Sequence, residues 1–293
     1  ARSHIPFDVV DEAWVSNRDL SVYDVVIAPN CACLPPSCVD QLRRFVERGG
    51  TLISSFETSR YDEEGRLLEQ LSLSDVLGAS VRTGVFGPMD LDYMSVVDRS
   101  TPITRGISAD TLPAPTFGID VTPTSASPIF LYREKMTSRY SPLPPMSDRP
   151  SILLNRHGEG RSIFLAGNFF EHYSHFHNPD FRLILENAVR WASPPFVALK
   201  RCPASVDLAV RRQPQRNRLI VHLVNLTGEM TRPIEEVVTV RDVEISLRGV
   251  GEPVSVYARR LDRPLECRYG GDMCTFTLPV LEEYEVITIE PYG

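Results

Sequence analysis

No stretch of the 293-residue chain approaches the roughly 20 consecutive apolar residues that span a bilayer, so a membrane-spanning helix is not expected. Basic charge is also in short supply. The 31 Lys and Arg face 38 Asp and Glu, for a formal net charge of −7. Such a surface gives neither nucleic acid nor anionic lipid an electrostatic reason to bind. None of the six cysteines sits in a C-x-x-C pair, which removes the zinc-ribbon and thioredoxin-like readings. Cys31 and Cys33 are too close in sequence for a comfortable disulfide, and reduced thiols in a cytoplasmic protein are expected. There is no secretory signal and no initiator Met. The chain opens ARSHIPFDVV, already close to an apolar run, and a processed or truncated product is expected. In that setting Asn225-Leu226-Thr227 is a chance match to the glycosylation pattern. No signature for a cofactor or a metal is present, and neither is expected.

What is present begins with Tyr23 to Glu57, which reads strand, loop, helix, Gly-Gly, strand. YDVVIA is a continuous apolar run, as expected of a parallel strand buried on both faces. Pro35-Pro36-Ser37 opens a helix, since proline is tolerated where its missing N–H would have had no partner. Val39, Leu42, Phe45 and Val46 form its apolar stripe, and Gly49-Gly50 its left-handed stop. TLISSF is the next strand. The polar segment Glu57 to Arg66 follows at that strand's carboxyl end, the edge where open α/β sheets usually bind ligands.

The remaining elements follow the same logic. Ile5–Val10 reads as a short buried strand and Asp11–Asp19 as a polar linker with Trp14 as packing anchor. Leu71–Gly78 reads as a short helix with Ser72 or Ser74 as N-cap. Between Ala79 and Pro150 short β-like runs alternate with Pro, Ser, Thr and Gly, and Thr137–Arg149 reads as loop. Ser151–Asn155 and Arg161–Ala166 flank a glycine-containing turn as a hairpin. Gly167–Asp180 reads as a loop rich in aromatics and histidines. Phe181–Ala192 reads as an amphipathic helix stopped by Pro194-Pro195, with Leu183, Leu185, Ala188, Val189, Trp191 and Ala192 on its buried side. After Pro195 the composition changes. Runs of β character, from Val206–Val210 to Tyr284–Ile289, are separated by turn signals, as in an antiparallel sandwich of about seven strands. The expected organisation is an α/β doubly wound domain over residues 1–195 and an all-β sandwich over 196–293.

The runs YDVVIAPNCACL, LRRFVERGGTLISSFETS and LSDVLGA resemble the amidotransferase-like "β-galactosidase trimerisation" domain, which follows the catalytic barrel in family-42 β-galactosidases. HGEGRSIFLAGNF, NAVRW, RLIVHLVNLTGE and LPVLEEYEVITIEP resemble the C-terminal part of a group of bacterial glycosyl hydrolases. The resemblance implies a class I glutamine amidotransferase-like, flavodoxin-like first domain that lacks its first strand and helix. It implies catalytic carboxylates on an upstream (β/α)8 barrel of the same protein, none in this chain, and a homo-oligomer whose subunits help shape a sugar pocket.

Three side-chain groups are candidates for chemistry or contact. An amidotransferase needs a cysteine on a strained elbow with a histidine and an acid to activate it, but the position after TLISS carries Phe56-Glu57. Cys31 and Cys33 lie at the end of the preceding strand instead. Glu57, Arg60, Tyr61 and Asp62 could hold a sugar by hydrogen bonds and stacking, complete a neighbouring subunit's pocket, or form a solvated loop. His172, His175 and His177, with Glu171 and Asp180 nearby, are the densest set of ligand-type residues. Their spacing matches no metal signature, and the interleaved Phe169, Phe170, Tyr173 and Phe176 suit an interface anchor or plain packing. His222 reads as a sheet histidine. The leading expectation is a non-catalytic C-terminal region of a glycoside hydrolase. The alternatives are a stand-alone carbohydrate-binding module and a Cys/His-dependent hydrolase.

Overall fold

In the computed structural model, which describes residues 2–228, 233–253 and 255–291, neighbours along one strand enter different cores. Leu52 lies in a core with the apolar stripe of the first long helix, while Ile53 joins another. Phe164 and Ile163, and Leu153 and Ile152, divide in the same way. Successive side chains on a strand point to opposite faces, so this alternation makes one sheet the middle of three layers.

That sheet belongs to the first of two compact units, Val10–Ser193. Its elements in chain order are α1 (Glu12–Asn17), β1 (Val25–Ala28), α2 (Pro36–Glu47), β2 (Thr51–Ser55), α3 (Ser74–Leu77), β3 (Ala79–Phe86), β4 (Tyr93–Val96), β5 (Thr111–Pro113), β6 (Gly118–Pro123), β7 (Ser127–Arg133), β8 (Met146–His157), β9 (Gly160–Leu165), α4 (Phe169–Phe176) and α5 (Pro179–Ala192). The central sheet has the order β1-β2-β9-β8-β7-β4-β5. β1, β2 and β9 are parallel, and the rest are joined antiparallel. β3 and β6 form a separate antiparallel pair. The sheet is thus mixed, with α2 and α3 serving one face and α4 and α5 the other.

α2 buries Val39, Leu42, Phe45 and Val46 as its spacing predicts, and Gly49 follows at φ +108°. β8 and β9 form the expected hairpin. A Cβ on Gly160 would collide with the carbonyl oxygens of Val46 and Gly50, so only glycine lets this hairpin approach the end of α2.

Several expectations are corrected. Residues 5–10 form no strand, and Phe7 and Val9 are exposed, since Pro6 lacks an N–H and Asp8 interrupts the run. The supposed linker holds α1, capped by the Asp11 carboxylate on the Trp14 N–H at 2.8 Å. Trp14 does anchor, its ring 5.8 Å from that of Tyr23. β1 is not buried on both faces but is an edge strand with Ile27 44% exposed. α3 takes Leu73 as N-cap with no side-chain bond, though Gly78 closes it at φ +64° as read. The supposed loop 167–180 contains helix α4. The buried face of α5 is centred on Phe181, Ile184 and Ala188 rather than on Leu183 and Trp191.

The second unit, Pro194–Gly293 with Ala1–Val9, contains β10 (Val197–Lys200), β11 (Val206–Gln213), β12 (Arg218–Asn225), β13 (Val240–Arg248), β14 (Ser255–Ala258), β15 (Arg263–Pro264), β16 (Cys267–Gly270), β17 (Met273–Leu281) and β18 (Tyr284–Glu290). They form two antiparallel sheets, β10-β13-β17-β16 and β11-β12-β18-β14-β15. Both sheets feed one core that includes Ile245, Phe276, Val221 and Ile287. This is the sandwich expected from the turn spacing, with more strands than anticipated. Val254, which begins one of the β runs, and Glu229, at the end of RLIVHLVNLTGE, lie outside the described residues. His222 sits in β12 between strands β11 and β18. The Asn225 side chain donates to the carbonyls of Val238 and Glu282 at 2.8 and 2.7 Å, so its nitrogen is committed inside the fold.

Candidate functional site

Because β1, β2 and β9 are parallel neighbours, their carboxyl ends share one edge. Three connections meet there: Pro29–Cys31 after β1, Phe56–Tyr61 after β2, and Ala166–Asn168 leading into α4. The chain after β2 turns sharply. Phe56 has φ +54° and Ser59 φ +65°, while Asn30 beside them has φ +54°. A non-glycine residue in this region costs on the order of 1 kcal/mol or more, so the surroundings must hold it.

They do so by hydrogen bonds. The Phe56 N–H donates to the Leu165 carbonyl at 2.8 Å. The Glu57 N–H donates to Asn30 Oδ1 at 3.2 Å, and the Asn30 N–H to Ser55 Oγ at 3.1 Å. Thr58 Oγ1 donates to the Ala28 and Ser55 carbonyls, and the Ser59 N–H to the Cys31 carbonyl. The result is an elbow whose left-handed position carries the buried phenyl ring of Phe56 and no nucleophile. Cys31 does not substitute for it. Burial pushes its thiol above the ordinary value, with Glu12 and Cys38 adding to the effect, so it is held protonated.

The four loop residues have separate fates. Tyr61 Oη donates to Glu57 Oε1 at 3.0 Å, and burial followed by that bond raises the phenol's pKa. Asp62 accepts the Glu64 and Arg66 N–H groups at 3.0 and 2.8 Å and so serves its own turn. Arg60 is only 9% exposed, and its buried Nη1 has no hydrogen-bond partner among the described residues. Ser54 Oγ, one strand position before Ser55, is likewise buried and unpartnered.

His172 and His175 ride on α4 and His177 follows it as its cap, and the three do not converge. The His172 ring packs 4.6 Å from Phe176 and 5.2 Å from Phe181. Burial, with His175 adding, lowers its pKa. His177 is the left-handed C-cap, its ring 5.8 Å from Tyr173. Asp180 lies in the first turn of α5, and Glu171 accepts from Asn168 Nδ2 at 2.9 Å. Among the described residues no group of three or more His, Cys, Asp or Glu is placed to hold a metal ion. Phe176 is 67% exposed at the end of the helix.

Sequence reasoning missed Asn30 and Asn168. Asn168 accepts the Phe117 N–H at 2.8 Å and joins the β9 end to the β6 entry. The one available signal was asparagine's tolerance of left-handed backbone, which fits Asn30 after Pro29. Two clefts at the opposite edge were missed as well. One, of about 270 Å³, is lined by Asp19, Tyr23, Arg44 and Arg48, and another, of about 220 Å³, by Thr101, Arg161 and Trp191. Among the described residues no helix is long and apolar enough to cross a membrane.

Residues 1–184 match the family described as the β-galactosidase trimerisation domain. No curated protein sequence matches the chain. Among solved structures, the α-L-fucosidase isoenzyme 2 from Paenibacillus thiaminolyticus is similar at 21% identity and TM-score 0.75, over 100% of this chain and 44% of that one. The β-galactosidase from Bacillus circulans sp. alkalophilus is similar at 16% identity and TM-score 0.64, over 94% of this chain and 34% of that one. Gan42B, a GH42 β-galactosidase from G. stearothermophilus, gives 18% identity and TM-score 0.61, over 98% and 34%. At these identities the likeness is one of fold, and this chain spans less than half of each of those chains.

Proposed function

The chain belongs to the β-galactosidase trimerisation domain family, and from that membership we propose that it is the non-catalytic C-terminal region of a bacterial glycoside hydrolase. In this reading it supports homo-oligomerisation and shapes the sugar site of an upstream (β/α)8 catalytic domain, which hydrolyses the glycosidic bond with its own two carboxylates. The observation that carries the non-catalytic reading is the elbow. Its backbone is kept at φ +54°, yet the residue on it is Phe56. No proton donor or nucleophile stands where the turn would present one.

The rest of the reading follows from the same edge. We take residues 1–195 as an amidotransferase-like, flavodoxin-like domain whose parallel core is β1, β2 and β9, and residues 196–293 as the sandwich domain. Glu57, Arg60, Tyr61 and Asp62 face a neighbouring subunit or the barrel, and the helix bearing His172, His175 and His177 serves as an interface anchor through the exposed Phe176. A guanidinium buried without a counter-charge, as at Arg60, is costly unless a partner supplies one. The six free thiols support a reducing, cytoplasmic setting. The purified chain should release no nitrophenol from aryl β-galactosides or aryl α-L-fucosides. Turnover by this chain alone, lost in Cys31→Ala or His172→Gln, would replace the proposal with the Cys/His-dependent one.

A further inference from the structure

The seven-stranded sheet ends differently at its two edges. β5 closes one of them with three residues, the last of them Pro113, and so short an edge ending in proline is poor ground for another strand. β1 forms the other edge with four residues, Val25-Val26-Ile27-Ala28, and no proline. The Thr51 N–H donates to the Asp24 carbonyl at 3.0 Å, which fixes the phase of the parallel ladder. Val26 therefore turns its N–H and C=O toward β2, and Val25 and Ile27 turn theirs to the open side. No residue among those described bonds to them there. Val25 packs into the core on one face of the sheet, and Ile27, two positions on along that face, is left 44% exposed. An uncharged, apolar edge of this kind is a template for an added strand.

The chain also holds a strand-like run that has no sheet. Phe7-Asp8-Val9-Val10 repeats the pattern of Tyr23-Asp24-Val25-Val26, and the second occurrence leads into β1. An aspartate before the paired valines is thus compatible with a sheet. Yet Phe7 and Val9 are 62% and 87% exposed, outside every helix and strand. His4 reaches the Pro203 carbonyl at 3.1 Å and Asp8 lies 3.8 Å from Arg211, so polar side chains anchor the run while its apolar ones meet water. Alternation puts Phe7 and Val9 on the same face of any strand they form. Laid along β1 with that face beside Ile27, the run covers all three exposed side chains and bonds the outward groups of Val25 and Ile27.

Symmetry decides which copy supplies the strand. Three copies about one axis cannot meet through a single self-complementary patch, and each must present two different surfaces, one to each neighbour. The run and the edge are such a pair. We infer that the β1 edge is the docking site for residues 7–10 of a second copy of this chain, so that three copies close a ring by donating one strand each. The inference rests on the oligomeric role proposed above and names the contact that makes it. One four-residue strand binds weakly, but a closed ring makes three such contacts at once.

Val9→Pro bars the run from a sheet, and Ile27→Lys places a charge on the edge. Both side chains are exposed, so both variants keep the fold. Sedimentation velocity should show the wild-type trimer giving way to monomer in either variant, with the concentration for half-assembly raised about tenfold or more. Mixed, the two variants should form a species of twice the chain's mass that neither forms alone. The Ile27→Lys copy still donates a run, and the Val9→Pro copy still offers an edge. Hydrogen exchange in β1 should slow with wild-type concentration and stay fast in Val9→Pro. Trimers indifferent to both variants, or variants that do not pair when mixed, would overturn this contact alone and leave the oligomeric role standing. A wild type monomeric at every concentration would overturn both. Slow exchange of Val25 and Ile27 in the monomer would overturn the contact, since the edge would then be covered within one copy.

Discussion

In the β-sandwich unit Glu285 is 1% exposed, and its carboxylate accepts the N–H groups of Arg260, Leu261 and Val286 at 2.7, 3.0 and 2.8 Å. Asn225 in the same unit spends its side-chain nitrogen on carbonyls and its oxygen on the Thr227 N–H. In the α/β unit three buried polar atoms, Ser54 Oγ, Arg60 Nη1 and Thr101 Oγ1, have no partner, and no such atom occurs among the described residues of the sandwich. The α/β unit can satisfy buried charge where structure demands it. Asp120 is held by Arg82 and by Thr83 Oγ1 at 2.7 Å. Its orphans therefore mark places rather than a general looseness. Two of them flank the elbow and one stands at the start of the short turn Pro102–Thr104. One unit completes its hydrogen bonding internally, and the other keeps three buried polar atoms without a partner among the described residues.

The largest effect should come from breaking the closed unit. Glu285→Ala strands three N–H groups and should cost about 3 kcal/mol in chemical denaturation of the sandwich; a loss under ~1 kcal/mol would erase the contrast. The opposite sign is expected at Arg60. Arg60→Met removes a buried unpaired charge and should be neutral or stabilising by up to about 2 kcal/mol in this chain. A loss of several kcal/mol would mean that Arg60 is already satisfied within the unit. Thr101→Val should stabilise by about 1 kcal/mol through removal of an unsatisfied hydroxyl, read as a rise in unfolding midpoint.

The smallest effect is a pH dependence. The folded-state pKa of His172 lies below its unfolded value of 6.5, so the folded state binds fewer protons than the unfolded state in that window. Its contribution is complete above pH 6.5 and is lost as pH falls from there through the folded pKa. Unfolding midpoints measured from pH 7.5 to 5 should fall less steeply in His172→Phe than in the wild type. Some slope should persist, because burial also lowers the pKa of His4 in the other unit.

Much of the fold that carries this contrast is legible in the sequence, because its elements have strong local signals. The stripe Val39, Leu42, Phe45 and Val46 fixed α2, and the glycine turn fixed the β8–β9 hairpin. The elbow could be placed from the end of TLISS alone. α4 was hidden because histidine and aromatic residues have middling helix propensity, and Gly167 and Pro179 bracket it as they would a loop. The edge position of β1 was hidden because an apolar run does not say how many neighbours a strand has. The orphan atoms, Asn30's bond to Glu57 and the Trp191 cleft depend on residues distant in sequence, and no local pattern carries them.

Sedimentation velocity of the purified chain over a wide concentration range tests the central claim most directly. If the α/β unit is an open surface built for assembly, a species of three times the chain's mass should grow with concentration. A single monomer boundary at every concentration up to the limit of solubility would contradict it.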